Sequence, residues 1–307
     1  MSGILWNSQQ RVVTLCLFIG LALPNLGFAL DLYPRDGVPL AEGTTTLSLE
    51  WKDRNADAML SPGLSFDVEQ QSVNLRLGHA FSLGGMPAYA YAELPFIDYS
   101  VSGRVAESFA LDPDSGIGDA SLALALWPYA NVDRGRYWGV AGYVLAPTGE
   151  YDVSRTVGLN LNPGSNRYAA VLQTGFHQQL SNRVDWSIAA DITVFEDNDD
   201  YLNPAAFPQA IPTTLESKPY VTYQTALSYR LNSALTLAAS YYLDRDGEMK
   251  VAGGNWSNAI DRDRYGLWAL INFSEQMRLT VSYQDTVNDD STVALGSSFQ
   301  LRFTRLF

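Results

Sequence analysis

The final stretch of the chain, Val293 to Phe307, limits the possible folds more than any other part. Its odd positions read Val293, Leu295, Ser297, Phe299, Leu301, Phe303, Arg305 and Phe307. Its even positions read Ala294, Gly296, Ser298, Gln300, Arg302, Thr304 and Leu306. A period of two is the period of a β-strand, here with one mostly apolar and one mostly polar face. A strand that turns its greasy face to lipid cannot end a sheet with a free edge, because each unpaired backbone group there costs several kcal/mol. It must pair with the first strand and close a barrel. The expected fold is therefore all-β: a transmembrane antiparallel β-barrel of the bacterial outer-membrane type.

The rest of the composition agrees. Residues 1–29 read as a secretory signal, with one positive charge (Arg11), an apolar stretch from Val12 to Leu23, and small residues Gly27 and Ala29 before the cut. That stretch is shorter than the ~20 apolar residues of a spanning helix. Cys16 lies inside it beside the large Leu15, so a lipid-attachment site is not expected there, and the mature chain holds no cysteine for a disulfide or thiolate site. Without Arg11 the chain carries 19 Lys+Arg (20 less one) against 33 Asp+Glu, a net charge of −14. That balance argues against nucleic-acid partners, which require phosphate neutralisation. A terminal aromatic such as Phe307, preceded by apolar residues two apart, also resembles the signal by which insertion machinery selects outer-membrane barrels.

Twelve segments alternate. The clearest lipid-facing sets are Thr45, Leu47, Leu49, Trp51; Val73, Leu75, Leu77, Phe81; and Val184, Trp186, Ile188, Ala190, Ile192, Val194. Four later segments, at 221–231, 235–243, 265–273 and 277–283, repeat the pattern, while those near 87–98, 118–129, 136–147 and 168–180 are blurred by Ala and Gly. Connections alternate too. Short turns are expected at Leu83–Met86, Asn131–Arg136, Ser181–Arg183, Asn232–Ala234 and Ser274–Gln276. Long polar loops are expected near 52–71, 99–117, 148–167, 196–218, 244–262 and 286–291. Short periplasmic turns and long outer loops are the habit of outer-membrane barrels. With the strands laid alternately up and down, Trp127, Tyr129, Tyr137, Phe176, Trp186, Tyr229, Phe273 and Phe307 fall at the periplasmic end. Trp51, Tyr223, Tyr241, Tyr265 and Tyr283 fall at the outer end, giving two aromatic girdles. The expected organisation is a signal at 1–29, a periplasmic or lumenal segment at 30–42, and the barrel from 43 to 307.

Parity also assigns the interior. Glu93 must face inward, because a carboxylate on the lipid face is costly, and it carries Tyr89, Tyr91 and Pro95 with it. Phe195, Tyr242 and Trp268 are inward aromatics. Inward charges are Arg76, Asp119, Asp185, Asp191, Arg230, Arg264, Arg278 and Arg302. As a solute path we take Arg76, Tyr91, Glu93, Asp119, Asp191, Arg230, Tyr242, Trp268, Arg278 and Arg302. These side chains line a pore for an apolar or aromatic solute, or they form ion pairs that stiffen the barrel. Arg76, Arg230, Arg278 and Arg302 cluster in the periplasmic half and would favour anions at the exit unless Glu93, Asp185 and Asp191 neutralise them. Twelve strands stand between the filled eight-stranded barrel and the wide porin, so a narrow path is expected.

Four short motifs carry a family likeness: Arg35-Asp36-Gly37-Val38-Pro39-Leu40-Ala41-Glu42-Gly43-Thr44, Glu93-Leu94-Pro95-Phe96, Gly116-Ile117-Gly118-Asp119 and Pro147-Thr148-Gly149-Glu150-Tyr151-Asp152. In that order, with the strand count and Phe307, they resemble the outer-membrane family labelled for the meta-cleavage pathway of phenol degradation. One departure is Ala41-Glu42, where relatives are expected to carry Pro before Gly43. The resemblance implies a channel admitting aromatic or other hydrophobic compounds, and it brings no catalytic residues or cofactor.

An enzyme is not expected. Ser82 lies three residues from His79, on the opposite face of its strand, and Ser181 falls in a turn after His177, so neither pair forms a nucleophile–base couple. The acidic runs Asp197-Asn198-Asp199-Asp200 and Asp244-Arg245-Asp246-Gly247 lack the later ligands of a calcium loop, so no metal is expected. Asn255-Trp256-Ser257 matches a glycosylation acceptor, which carries little meaning in a bacterial barrel. The expected partners are outer-membrane lipid and lipopolysaccharide, the insertion machinery acting on the last strand, and a small hydrophobic or aromatic solute. The competing reading is a structural or surface-interaction barrel without a specific solute.

Overall fold

A computed structural model describes residues 31–61, 64–103, 106–107, 113–156, 160–202, 212–251, 253–257, 259–289 and 293–307. The expected leader, Cys16 included, lies outside them. Alternation produces strands throughout: β1 (Thr45–Ser61), β2 (Leu64–Leu83), β3 (Met86–Ser102), β4 (Ser115–Ile117), β5 (Ala120–Asn131), β6 (Arg136–Ala146), β7 (Ala169–Gln179) and β8 (Val184–Phe195). They continue as β9 (Asn198–Leu202), β10 (Pro212–Ser217), β11 (Tyr220–Arg230), β12 (Leu235–Asp246), β13 (Met249–Val251), β14 (Ile260–Asn272), β15 (Met277–Asp289) and β16 (Val293–Leu306). Setting aside β4, β9, β10 and β13, the remaining twelve form one closed antiparallel sheet. β16 closes it on β1 in the register Leu47↔Arg305 and Leu49↔Phe303. Thr45 and Phe307 exchange both backbone hydrogen bonds at the seam, at 3.1 and 2.9 Å.

The faces are inverted relative to a water-soluble barrel. Leu49, Leu77, Leu122, Leu172, Tyr223, Leu227 and Leu267 are exposed on the outside, whereas Ser48, Glu50, Gln173, Asp185, Ser187, Asp191 and Gln224 are buried inside. That arrangement is stable only where the outer solvent is hydrocarbon. The chain is an outer-membrane β-barrel, as its last strand implied.

The short turns fall where expected, each with local chemistry that reverses the chain. Gly84 and Gly85 both take positive φ (58° and 82°), the conformation a two-residue hairpin of this twist requires. Asn232 Oδ1 accepts from the backbone N–H of Ala234 and Leu235, both at 2.9 Å, and Ser181 Oγ accepts from Val184 N–H at 3.1 Å.

Two expectations need correction. First, Trp127 and Tyr137 do not join the lipid girdle: both are 7% exposed and face inward. Pro128 has no N–H to give the ladder, and the β5–β6 register shifts between Leu126 and Tyr129. Trp127 keeps the inward parity of Ser121 and Ala123, and Tyr137 that of Ala141; the bulge instead turns Tyr129 outward, beside the exposed Trp138. Second, much of the expected outer loop sequence is strand. Residues 52–71 belong largely to a β1–β2 ribbon, paired through Ala56↔Val68 beyond the membrane level of Trp51. Its Ala56, Phe66 and Val68 pack with Tyr99, Ala106 and Leu161 into an apolar cap over the barrel. Within 196–218 and 244–262, β9, β10 and β13 form a separate small sheet around Tyr201, Leu215, Met249 and Val251.

Candidate functional site: an eccentric lumenal cavity

Residues 31–38 lie inside the barrel and are anchored to β8, β11 and β14, with further contacts to β1, β16 and β5, and most anchors answer a polar group that the wall buries. Arg264 grips Asp31 with both terminal nitrogens, at 2.9 and 3.0 Å. Leu32 N–H donates to Gln224 Oε1 at 2.9 Å. The Tyr33 ring stands edge-on to Trp268 at 4.8 Å, beneath the Arg302 guanidinium at 3.4 Å. Its hydroxyl donates to Glu50 Oε2 at 3.0 Å and accepts from Gln300. The chain then reverses at Arg35, whose φ is 77° and whose Nε lies 3.5 Å from Asp185. Trp127, inward on β5 like Ser121 and Ala123, donates its indole N–H to Gly37 O at 2.9 Å.

The segment fills one side of the lumen and leaves a cavity of about 350 Å³ on the other, between itself and the β16–β1–β2–β3–β5–β6 wall. Six of the ten path residues line this space: Arg76, Tyr91, Glu93, Asp119, Arg278 and Arg302. The other four point inward but do not line it. Tyr242 (fully buried) and Trp268 are sealed on the side of the N-terminal segment, with the Arg264 guanidinium 4.6 Å over Tyr242. Asp191 is buried with Gln173 as its hydrogen-bond neighbour at 3.5 Å, and Arg230 sits at the periplasmic turn, bonded to Asn182 O and Asp185. Sequence parity gave their facing; the occupant of the lumen was not visible in it.

The cavity wall is rich in rings. Tyr89 and Tyr91 lie 5.8 Å apart by centroid, and Tyr143 on β6 lies 6.2 Å from Tyr91. Further out, Pro95, Ile97 and Tyr99 continue the β3 face. Tyr143 and Tyr99 were missed because their strands blur in Ala and Gly or run into an expected loop.

The periplasmic arginines are not a row of bare cations. Arg76 meets Glu93 at 2.6 Å, Arg302 meets Glu50 at 2.7 Å, and Arg230 meets Asp185 at 3.4 Å. Glu50 is the carboxylate missing from the expected set; its place opposite Trp51 on β1 was the available signal. Arg278 hydrogen-bonds Asn272 at 2.9 Å.

Asp119 has a structural partner set at the outer mouth. It accepts from Gly149 N–H at 3.0 Å, from Ser165 N–H at 2.8 Å, and from the Ser165 hydroxyl. These bonds bring the chain around Gly149 and Gly164 together until their backbones touch. A Cβ on either would lie 2.7 Å from the other's backbone, so no larger residue fits without displacement. The two histidines have other company than serine: His79 bonds Thr45 Oγ1 at 2.9 Å, and His177 stands 4.0 Å from Asp185. Among the described residues no group of three or more His, Cys, Asp or Glu is arranged to hold a metal.

Against known proteins, the chain is similar in structure to the COG4313 outer membrane channel from Pseudomonas putida F1, with a TM-score of 0.79 and 22% identity over 90% of this chain and all of that one. It is more distantly similar to the beta domain of the Bordetella autotransporter BrkA, with a TM-score of 0.50 and 12% identity over 87% of this chain and all of that one. A comparison with curated proteins finds no match. The family described as "Putative MetA-pathway of phenol degradation" matches residues 41–303, from before β1 to Phe303 in β16. By fold, closure and that match, the chain is an outer-membrane β-barrel belonging to this family.

Proposed function

We propose that the chain is a passive channel for small hydrophobic or aromatic compounds, which move through the eccentric cavity without covalent chemistry. The observation that carries this reading is the tyrosine wall. Tyr89, Tyr91 and Tyr143 face a space of about 350 Å³, the size of a small-molecule site. Rings of this kind offer apolar area with a polar tip, suiting compounds that are greasy with one hydroxyl or carbonyl. The proposed path comprises Arg76, Tyr91, Glu93, Asp119, Arg278 and Arg302, with Asp191, Arg230, Tyr242 and Trp268 forming the wall that holds the N-terminal segment. Lipopolysaccharide and the insertion machinery are the proposed partners of the outer surface and last strand.

The competing reading, a structural barrel without a solute, draws on the anchors of residues 31–38 and the apolar cap. The two separate in cells. Accumulation of a panel of aromatic compounds is measured with the gene, without it, and with Tyr91→Ala/Tyr143→Ala. Dependence on the gene, reduced by the double variant, is expected; accumulation independent of the gene across the panel would favour the structural barrel.

A further inference from the structure

Two cations in the cavity have no hydrogen-bond or ion-pair partner among the described residues. Lys52 and Arg54 are two apart on β1, so both face the lumen, and both line the cavity. Arg54 is only 5% exposed. Neither forms a hydrogen bond or an ion pair with a described side chain. This sets them apart from every other buried lumenal cation nearby: Arg76 has Glu93, Arg302 has Glu50, and Arg264 has Asp31 and Asp244. The carboxylates whose fields reach Lys52 are Asp31 and Glu50, both already held by arginines.

The neighbours are built to accept a ligand at this level rather than to neutralise it. Lys52 stands opposite Ser72 on β2 and Gln300 on β16; Arg54 stands opposite Gln70 and Ser298. All four are neutral hydrogen-bonding groups. One strand further, Ser72 pairs with Ile97 and Gln70 with Tyr99, so an apolar surface lies at the same height as the cations. Pro95 and Ile97 crowd against Gly118, where an added Cβ would lie 2.9 Å from each. Further along the strands, Ala56, Phe66 and Val68 pack with Tyr99 into an apolar cluster beside the site. A buried charge without a counter-ion is costly. An incoming anion removes that cost, and the low-dielectric surroundings strengthen the attraction.

We propose that Lys52 and Arg54 form an anion subsite in the outer half of the cavity, which takes the carboxylate of an aromatic monocarboxylate whose ring lies on Pro95, Ile97 and Tyr99. The inference rests on the channel reading above and narrows its solute class: the preferred solute is amphipathic and negatively charged, despite the chain's net charge of −13.

Calorimetric titration of the full-length protein, folded in detergent, tests this with benzoate and its uncharged isostere benzamide. Benzoate is expected to bind about tenfold or more tighter, the worth of one charge-assisted hydrogen bond. The Lys52→Gln/Arg54→Gln variant is expected to bring the two ligands within about twofold of one another, while Lys52→Arg retains the preference. Heat-modified gel mobility reports that each variant is folded, and the wild-type comparison stands without any variant. Equal binding of benzoate and benzamide by the wild type, or a benzoate preference that survives in the folded double variant, overturns the subsite and leaves the channel reading intact. Binding of neither compound overturns the subsite and counts against the channel reading as well.

Discussion

Tyr33 is the side chain through which the N-terminal segment can be released with least damage to the barrel. Replacement by Ala removes the ring beneath Arg302, the edge contact with Trp268 and the hydroxyl bond to Glu50. A cation–π contact, an aromatic pair and a charge-assisted hydrogen bond together give roughly 3–6 kcal/mol. The lower end applies, because Glu50 and Arg302 keep their 2.7 Å bond after the ring is gone, so no buried charge is stranded. About 3 kcal/mol corresponds to about a hundredfold shift in the ratio of docked to undocked segment. Tyr33→Phe, which keeps the ring and loses only the hydroxyl bonds, should shift it about tenfold. The assay is single-channel recording in planar bilayers. Openings to a larger conductance level should become more frequent in the order wild type, Tyr33→Phe, Tyr33→Ala. Identical conductance and open probability in all three proteins would refute the reasoning, because the segment would then not be what limits the lumen.

Two further perturbations address the barrel itself. Asp244 is fully buried and accepts from Arg262 Nε at 2.9 Å and Arg264 Nε at 2.7 Å, so Asp244→Asn leaves two guanidiniums facing each other without their shared counter-ion. A loss of about 3–5 kcal/mol is expected, read as a lower urea midpoint of the heat-modifiable form; an unchanged midpoint would mean that water or the neighbouring Asp31 compensates. Deleting Phe307 removes both seam bonds to Thr45, and the yield of folded protein in outer-membrane fractions should fall, whereas normal yield would show that closure does not need the last residue.

The sequence by itself determined the class of fold and most side-chain facings. Where strands alternate cleanly, as in Val184–Phe195, parity placed Asp185 and Asp191 inside and Ile188 and Ile192 outside, because the side-chain period of a strand is two and lipid tolerates only one of its faces. The short turns were legible because their Gly, Asn and Ser chemistry is local. Tertiary structure decided the rest, wherever a residue's environment is set by chain distant in sequence. Blurred by Ala and Gly, β5 and β6 hid that Trp127 and Tyr137 share the inward parity of Ala123 and Ala141, and parity could not foresee the bulge at Pro128 that flips Tyr129 outward. The β1–β2 ribbon, rich in Asp, resembles a loop until Tyr99 and Leu161 supply the apolar surface on which its Phe66 and Val68 pack. Nothing in the periodicity of β12 or β14 told that Tyr242 and Trp268 would lie on the filled side of the lumen, or that Arg264 would spend its charge on Asp31, 233 residues away. Lys52 and Arg54 were visible only as two charges at the start of an expected loop. Their isolation could be seen only once Arg76, Arg264 and Arg302 had each found a carboxylate, because an ion pair belongs to two strands and one strand's pattern holds half of it.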